Sequence, residues 1–242
     1  MKMKTSSWLS IIPTKKNKFD LSPLEFRDAL AIRYSRIPVA MPQSCDGCGH
    51  NDFNLNHALC CKTGGLITRR HNEVRDLLFE LCKSAWGNVV KEPIIQEGEN
   101  NLRGDLACRG VWDTQKEALF DIRVIDTDAP SYVSRPVTSI LRTAEEEKKK
   151  KYLSACERRN ATFTPLVMSV DGVFAPQTIN FQKNLSERLS ECWNRPQAVV
   201  TTWLRARLSI AIIRASSMCI TGARKKWHSA SLLNFEDGAG LY

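Results

Sequence analysis

Two short apolar runs decide the fold: Arg103-Gly-Asp105-Leu-Ala-Cys-Arg109, and Ala118-Leu-Phe-Asp121-Ile-Arg123-Val-Ile125. Each is strand-like and each is interrupted by one carboxylate, a placement that is costly unless the acid is paired or binds a metal. Asp113-Thr-Gln-Lys116 lies between them and reads as a turn, so the runs are expected to pair antiparallel and bring Asp105 beside Asp121. Arg123 follows Asp121 by two positions and in a strand shares its face. Two carboxylates with a cation beside them suit a divalent ion, Mg²⁺ or Mn²⁺, acting on a phosphodiester. Taken singly, each acid reads as a strand-edge residue or one ion-paired with a neighbouring Arg.

Outward from this pair, the hydrophobic pattern predicts a helix over Arg70 to Ala85, burying Val74, Leu77, Leu78 and Leu81. A third strand is expected over Asn88 to Ile95. Arg135 to Arg159 reads as helical, with a Glu-Glu-Glu-Lys-Lys-Lys-Lys centre suited to pairing along the helix. Phe163 to Val173 reads as a buried strand stopped at Asp171-Gly172, and Pro176 to Trp193 and Val199 to Cys219 as two further helices. Near the start, Leu21-Ser-Pro-Leu-Glu-Phe-Arg-Asp-Ala-Leu-Ala-Ile-Arg-Tyr34 carries a helix start signal, and Pro38 and Pro42 break the chain after it. The order helix, three strands, helix, strand, helix describes one α/β domain with a mixed sheet.

Residues 44–65 show no hydrophobic periodicity and need another source of stability. Cys45-x2-Cys48-x8-His57-x3-Cys61 offers three thiolates and an imidazole, and Gly47 and Gly49 permit the tight turn between the first two. His57 and Cys61 at i and i+4 close a tetrahedral set from one helical turn, with Cys60 as a competing fourth ligand. Four protein ligands make such a zinc site structural, and the ion supplies the stability the segment lacks.

Lys and Arg total 35 against 26 Asp and Glu, a formal charge of +9 that favours a polyanionic partner, DNA or RNA. Between Cys192 and Phe235 there is no acid, while Arg195, Arg205, Arg207, Arg214, Arg224, Lys225 and Lys226 accumulate. Apolar runs such as Ser209–Ile213 fall far short of the roughly 20 residues a bilayer span needs, so no membrane partner is expected. Cys82, Cys108, Cys156 and Cys219 stand alone in apolar surroundings and read as reduced core residues, which fits an intracellular location.

Taken in order, these motifs resemble the C-terminal region of non-LTR retrotransposon polyproteins, where a CCHC knuckle and a restriction-like PD-(D/E)XK endonuclease follow the reverse transcriptase. The resemblance runs over about residues 20 to 228, through Cys45 to Cys61, Gly64-Gly-Leu-Ile-Thr-Arg-Arg-His-Asn-Glu-Val-Arg75, Arg103-Gly-Asp105 and Asp121-Ile-Arg123. It implies a restriction-endonuclease-like core of helix, three-stranded antiparallel run, helix and strand, with an N-terminal zinc knuckle and C-terminal helices. Residues 1–43 resemble the end of a polymerase region, 44–66 the knuckle, 67–228 the endonuclease, and 229–242 form a tail. The implied activity is a metal-dependent nick in target DNA in the nucleus, with a reverse transcriptase acting in cis or in trans.

The resemblance assigns Glu73 as the acid of the first helix, a position where an ordinary first-turn Glu is equally at home. Arg69, Arg70 and His71, with Arg205, Arg207 and Arg214, are the candidate nucleic-acid contacts. Where the superfamily expects lysine, this chain has Arg123, which stays protonated and is no general base. Related enzymes resemble it in a Lys-x-x-Lys-Tyr pattern on the following helix, here Lys148, Lys151 and Tyr152, though the same lysines also suit a solvated helix face. A catalytically silent zinc-knuckle binding module and a structure-selective nuclease remain open alternatives.

Overall fold

The computed structural model describes residues 7–38, 41–98 and 101–224. Lys225, Lys226 and the tail lie outside them.

Helix α1, Pro23–Tyr34, starts where the sequence signals: the Ser22 hydroxyl accepts from the Glu25 amide while the Glu25 carboxylate accepts from the Ser22 amide. A short helix α2, Leu55–Cys60, lies within the cysteine segment, capped by the Asn54 side chain. Helix α3 spans Leu66–Trp86, longer at its start than the apolar pattern indicates, because Gly64 and Gly65 at positive φ turn the chain directly into it.

The strand expected over Asn88 to Ile95 is two strands, β1 Val89–Lys91 and β2 Ile94–Gln96. Glu92 adopts positive φ and Pro93 has no amide to donate, so the regular ladder is interrupted there, while the Glu92 amide still donates to the Asp105 carbonyl and the Pro93 carbonyl accepts from the Gly104 amide. The next run divides likewise into β3 Leu102–Arg103 and β4 Leu106–Arg109, because the chain changes partners at Gly104-Asp105. Among the described residues, strands β2 and β3 pair only with each other. After β5, Glu117–Ile125, the long helix α4, Val137–Arg158, crosses back to β6, Thr162–Ser169. Helices α5, Pro176–Trp193, and α6, Gln197–Thr221, complete the described chain.

The main sheet is four-stranded, ordered β1-β4-β5-β6, antiparallel except for the parallel pair β5 and β6. The fold is therefore mixed α/β around a mixed sheet. Strand alternation sends Phe120, Ile122, Leu166 and Met168 to one face, where they pack with α3, α5 and α6. Leu119, Phe163 and Val167 go to the other face, under α4.

Helix α6 is apolar on several sides, and each side has a partner. Leu204, Leu208 and Ile212 join the sheet core, Ala206, Ile210 and Ile213 meet Trp8, Phe19 and Ala29, and Cys219 and Ile220 reach the cysteine segment. Among the described residues no helix is long and apolar enough to cross a membrane. Cys82, Cys108, Cys156 and Cys219 are buried free thiols, and burial raises the pKa of each.

Candidate metal centre and active site

The cysteine segment assembles its ligands locally. The Gly49 amide donates to the Cys45 carbonyl at 2.9 Å, closing the turn between the first two cysteines, with Gly49 at φ +75°. The Asn54 side chain holds the His57 amide at 2.9 Å, and the Cys61 amide donates to the His57 carbonyl at 2.8 Å. These two bonds fix the last two ligands on one helical turn.

The four donor atoms of Cys45, Cys48, His57 and Cys61 lie within 4.8 Å of one another. Sγ of Cys61 stands 3.9 Å from those of both Cys45 and Cys48, and Cys48 Sγ is 3.4 Å from His57 Nε2. Tetrahedral zinc with bonds of about 2.3 Å to sulfur needs sulfur–sulfur edges of roughly 3.8 Å, so the set fits that ion. Cys60 is outside the set and exposed, which decides between the two candidate fourth ligands for Cys61. At Cys45, burial pushes the thiol pKa up, but hydrogen bonds from the Cys48 and Gly47 amides and from the His57 and Cys48 side chains bring it down to about 6. A thiol lowered in this way readily supplies the thiolate a metal requires.

The second site lies where β4 and β5 pair. Leu106 opposite Phe120 is the last pair of the antiparallel ladder, and Asp105 and Asp121 are the next residues beyond it on the two strands. The approach is close at Gly104, where a Cβ would stand 3.2 Å from the Phe120 carbonyl oxygen. The Asp105 amide donates to that same carbonyl at 2.8 Å, and its carboxylate accepts from the Ile122 amide at 2.5 Å. Asp105 is thus part of the sheet's own hydrogen bonding. Its other oxygen meets His71 Nε2 at 2.9 Å, from α3.

Asp121 is buried on the α4 face, with Lys148 Nζ 2.6 Å from its carboxylate. Tyr152 is buried one turn further along α4, and burial followed by the Asp121 charge raises its phenol pKa. Lys151 Nζ stands 3.1 Å from the Tyr152 hydroxyl and 4.7 Å from its ring centroid. Arg123 shares the Asp121 face as strand alternation requires, and pairs with Glu147 at 2.5 Å. The structure therefore brings together Asp105, Asp121, Arg123, His71 and Lys148, with Lys151 behind Tyr152. Tyr152 and Glu147 join as residues not singled out for the site, although Tyr152 already stood in the Lys-x-x-Lys-Tyr pattern.

The other candidates fall elsewhere. Glu73 is exposed and lines a cleft with Lys18, Arg207 and Arg214. Arg69 and Arg205 are exposed. Arg70 is buried, with its guanidinium donating to the Leu59 and Val124 carbonyls. Arg214 donates to the Lys18 and Asp20 carbonyls, and Arg207 is partly buried, which lowers its pKa. Three residues of the Glu-Lys centre of α4 serve other elements: besides Lys148 and Glu147, buried Glu145 accepts from the Gln177 amide and so caps α5. Only Lys149 and Glu146 pair along the helix, at 3.3 Å.

No protein-family model matches this chain, and no curated protein matches it.

Proposed function

We propose that the chain is a metal-dependent DNA endonuclease with a restriction-endonuclease-like core, of the kind that accompanies non-LTR retrotransposon reverse transcriptases. The observation that carries this reading is the meeting of Asp105, Asp121 and Lys148 on paired strands and one helix. Buried Asp121 and sheet-bound Asp105 form an anionic pair suited to Mg²⁺ or Mn²⁺. A divalent ion held there supplies Lewis acidity and a water of lowered pKa.

Around it each side chain has a task in phosphodiester hydrolysis. Water attacks phosphorus, the ester oxygen of the 3′ carbon leaves, and that oxygen takes up a proton to become a hydroxyl. Lys148 and Arg123 offset the negative charge that grows on the phosphoryl oxygens. His71 holds the Asp105 carboxylate, Lys148 meets that of Asp121, and Tyr152 is kept a phenol by its raised pKa. The zinc knuckle is structural in this reading, and a reverse transcriptase in cis or in trans would use the new 3′-hydroxyl.

A catalytically silent binding module is the competing reading, and α6 gives it limited support. Of Arg205, Arg207 and Arg214 only Arg205 is exposed, while Arg214 is engaged with Asp20 and Glu25. Incubation of purified protein with supercoiled plasmid and Mg²⁺ or Mn²⁺ tests the choice, beside Asp121→Asn and an EDTA control. Metal-dependent nicking that disappears in the variant supports the nuclease. Equal DNA binding by both proteins without cleavage by either overturns it.

A further inference from the structure

The cysteine segment is built into the body of the protein. Its Phe53, Ala58 and Leu59 share one core with Ile32, Leu66, Val170, Cys219 and Ile220. Within that core one buried cation faces both candidate sites. Arg70 Nη1 donates to the Leu59 carbonyl at 3.0 Å, and Nη2 reaches the Val124 carbonyl at 3.4 Å.

Both ends of this bridge are informative. Leu59 lies in α2 between the ligands His57 and Cys61, so its carbonyl is oriented by the helical turn that zinc closes. Val124 follows Arg123 on β5, three positions beyond Asp121. Along the chain, Arg70 precedes His71, whose ring meets Asp105 at 2.9 Å. The Nε of this buried guanidinium already lacks a hydrogen-bond partner, so losing a further acceptor leaves the cation still less satisfied. Losing the Leu59 carbonyl would force the cation to move, and with it the stretch of α3 that carries His71. A cavity of 280 Å³ lined by Ile67, Arg70, His71, Ile122, Arg123 and Val124 lies along the same seam and gives that movement room.

We propose that Arg70 is a positioning residue through which zinc in the knuckle sets the geometry of the Asp105–Asp121 site, making the nuclease zinc-controlled. Its catalytic meaning rests on the function proposed above; the mechanical coupling does not. Residues that orient metal-binding side chains typically change metal affinity by about 10- to 100-fold when altered.

The test compares full-length wild type, Arg70→Met, Arg70→Lys and, as a control for general loosening, Leu204→Ala in the sheet core. Each is measured zinc-loaded and zinc-stripped, by hydrogen exchange at the Ile122–Val124 amides and by Mn²⁺ titration. Mn²⁺ is a suitable probe because thiolates bind it poorly. Zinc stripping of wild type should speed exchange at Ile122–Val124 and weaken Mn²⁺ binding by at least ~10-fold. Zinc-loaded Arg70→Met should already show both changes, stripping should add little, and Arg70→Lys should recover part of the loss. Leu204→Ala should keep wild-type Mn²⁺ affinity.

Unchanged exchange and Mn²⁺ affinity in zinc-loaded Arg70→Met, or an equal loss in Leu204→Ala, overturns the proposal. If wild type binds no Mn²⁺ that Asp121→Asn abolishes, the nuclease reading fails, and the exchange data alone still decide the coupling.

Discussion

Gly64 and Gly65 are adjacent and share a backbone conformation, at φ +81° and +74°, yet their surroundings differ completely. A Cβ on Gly65 would meet nothing within 4 Å, whereas one on Gly64 would lie 2.5 Å from both the Cβ and the carbonyl oxygen of Arg224. Alanine at either position carries the left-handed penalty of roughly 1–2 kcal/mol. Gly64→Ala must also push back the backbone of Arg224, an overpacking cost of about 1–3 kcal/mol. That backbone is closely held: the Arg224 amide donates to Asp46 at 2.7 Å, its guanidinium to the Ala58 and Cys219 carbonyls, and the guanidinium lies 4.8 Å from the Phe53 ring centroid. At about 2–4 °C per kcal/mol for a chain of this size, Gly65→Ala should lower Tm by roughly 2–8 °C. Gly64→Ala should lower it about twice as far. Thermal unfolding in excess zinc reads the first quantity, and zinc release to a chromophoric chelator reads the second, which should quicken in Gly64→Ala alone. Equal Tm shifts with equal release rates would refute the clasp of Arg224 over the knuckle.

Other outcomes test the remaining assignments. Cys60→Ser should retain one zinc per chain and Cys61→Ser should lose it, as measured by metal analysis of the purified variants. Lys148→Ala should slow plasmid nicking by about a hundredfold or more, since its ammonium meets Asp121, whereas Lys151→Ala should cost less than about tenfold. Equal losses would remove the distinction between these lysines. Asp28, buried on α1 and accepting from the Ser217 hydroxyl at 2.6 Å, has its pKa raised, chiefly by burial. The folded state therefore favours its protonated form, and wild type loses stability as pH rises from the ordinary 3.8 through the raised value. Asp28→Asn escapes that loss, so its stability relative to wild type should climb over this window and then level off in denaturant titrations. A difference independent of pH would refute the burial argument.

What the sequence made legible was local. The knuckle ligands lie within one loop and one helical turn, so spacing chose three of them and left only Cys60 and Cys61 to be decided, and the antiparallel pairing of the two acid-bearing strands followed from the turn between them. Alternation likewise placed Arg123 beside Asp121. Pairing was less legible: nothing in the apolar pattern of Asn88 to Ile95 shows that Glu92 and Pro93 divide it between two sheets. The long-range fate of charges was least legible. Arg70 and Arg205 look alike in sequence, but one is buried by α2 and β5 and the other is exposed. The glutamates and lysines of α4 suit helix-surface pairing, and only the strands and α5 packed beneath reveal that three of them serve other elements.

The clasp of Arg224 has a consequence for the order in which the protein is made. About 160 residues separate Cys61 from Arg224, so at typical synthesis rates the knuckle emerges from the ribosome roughly ten to thirty seconds before its clasp. During that interval the ligands are present, but the helix that covers Phe53 and Leu59 has not been synthesised. Metal capture can therefore precede docking, and a nascent chain deprived of zinc would present an unsecured apolar loop to chaperones throughout the wait.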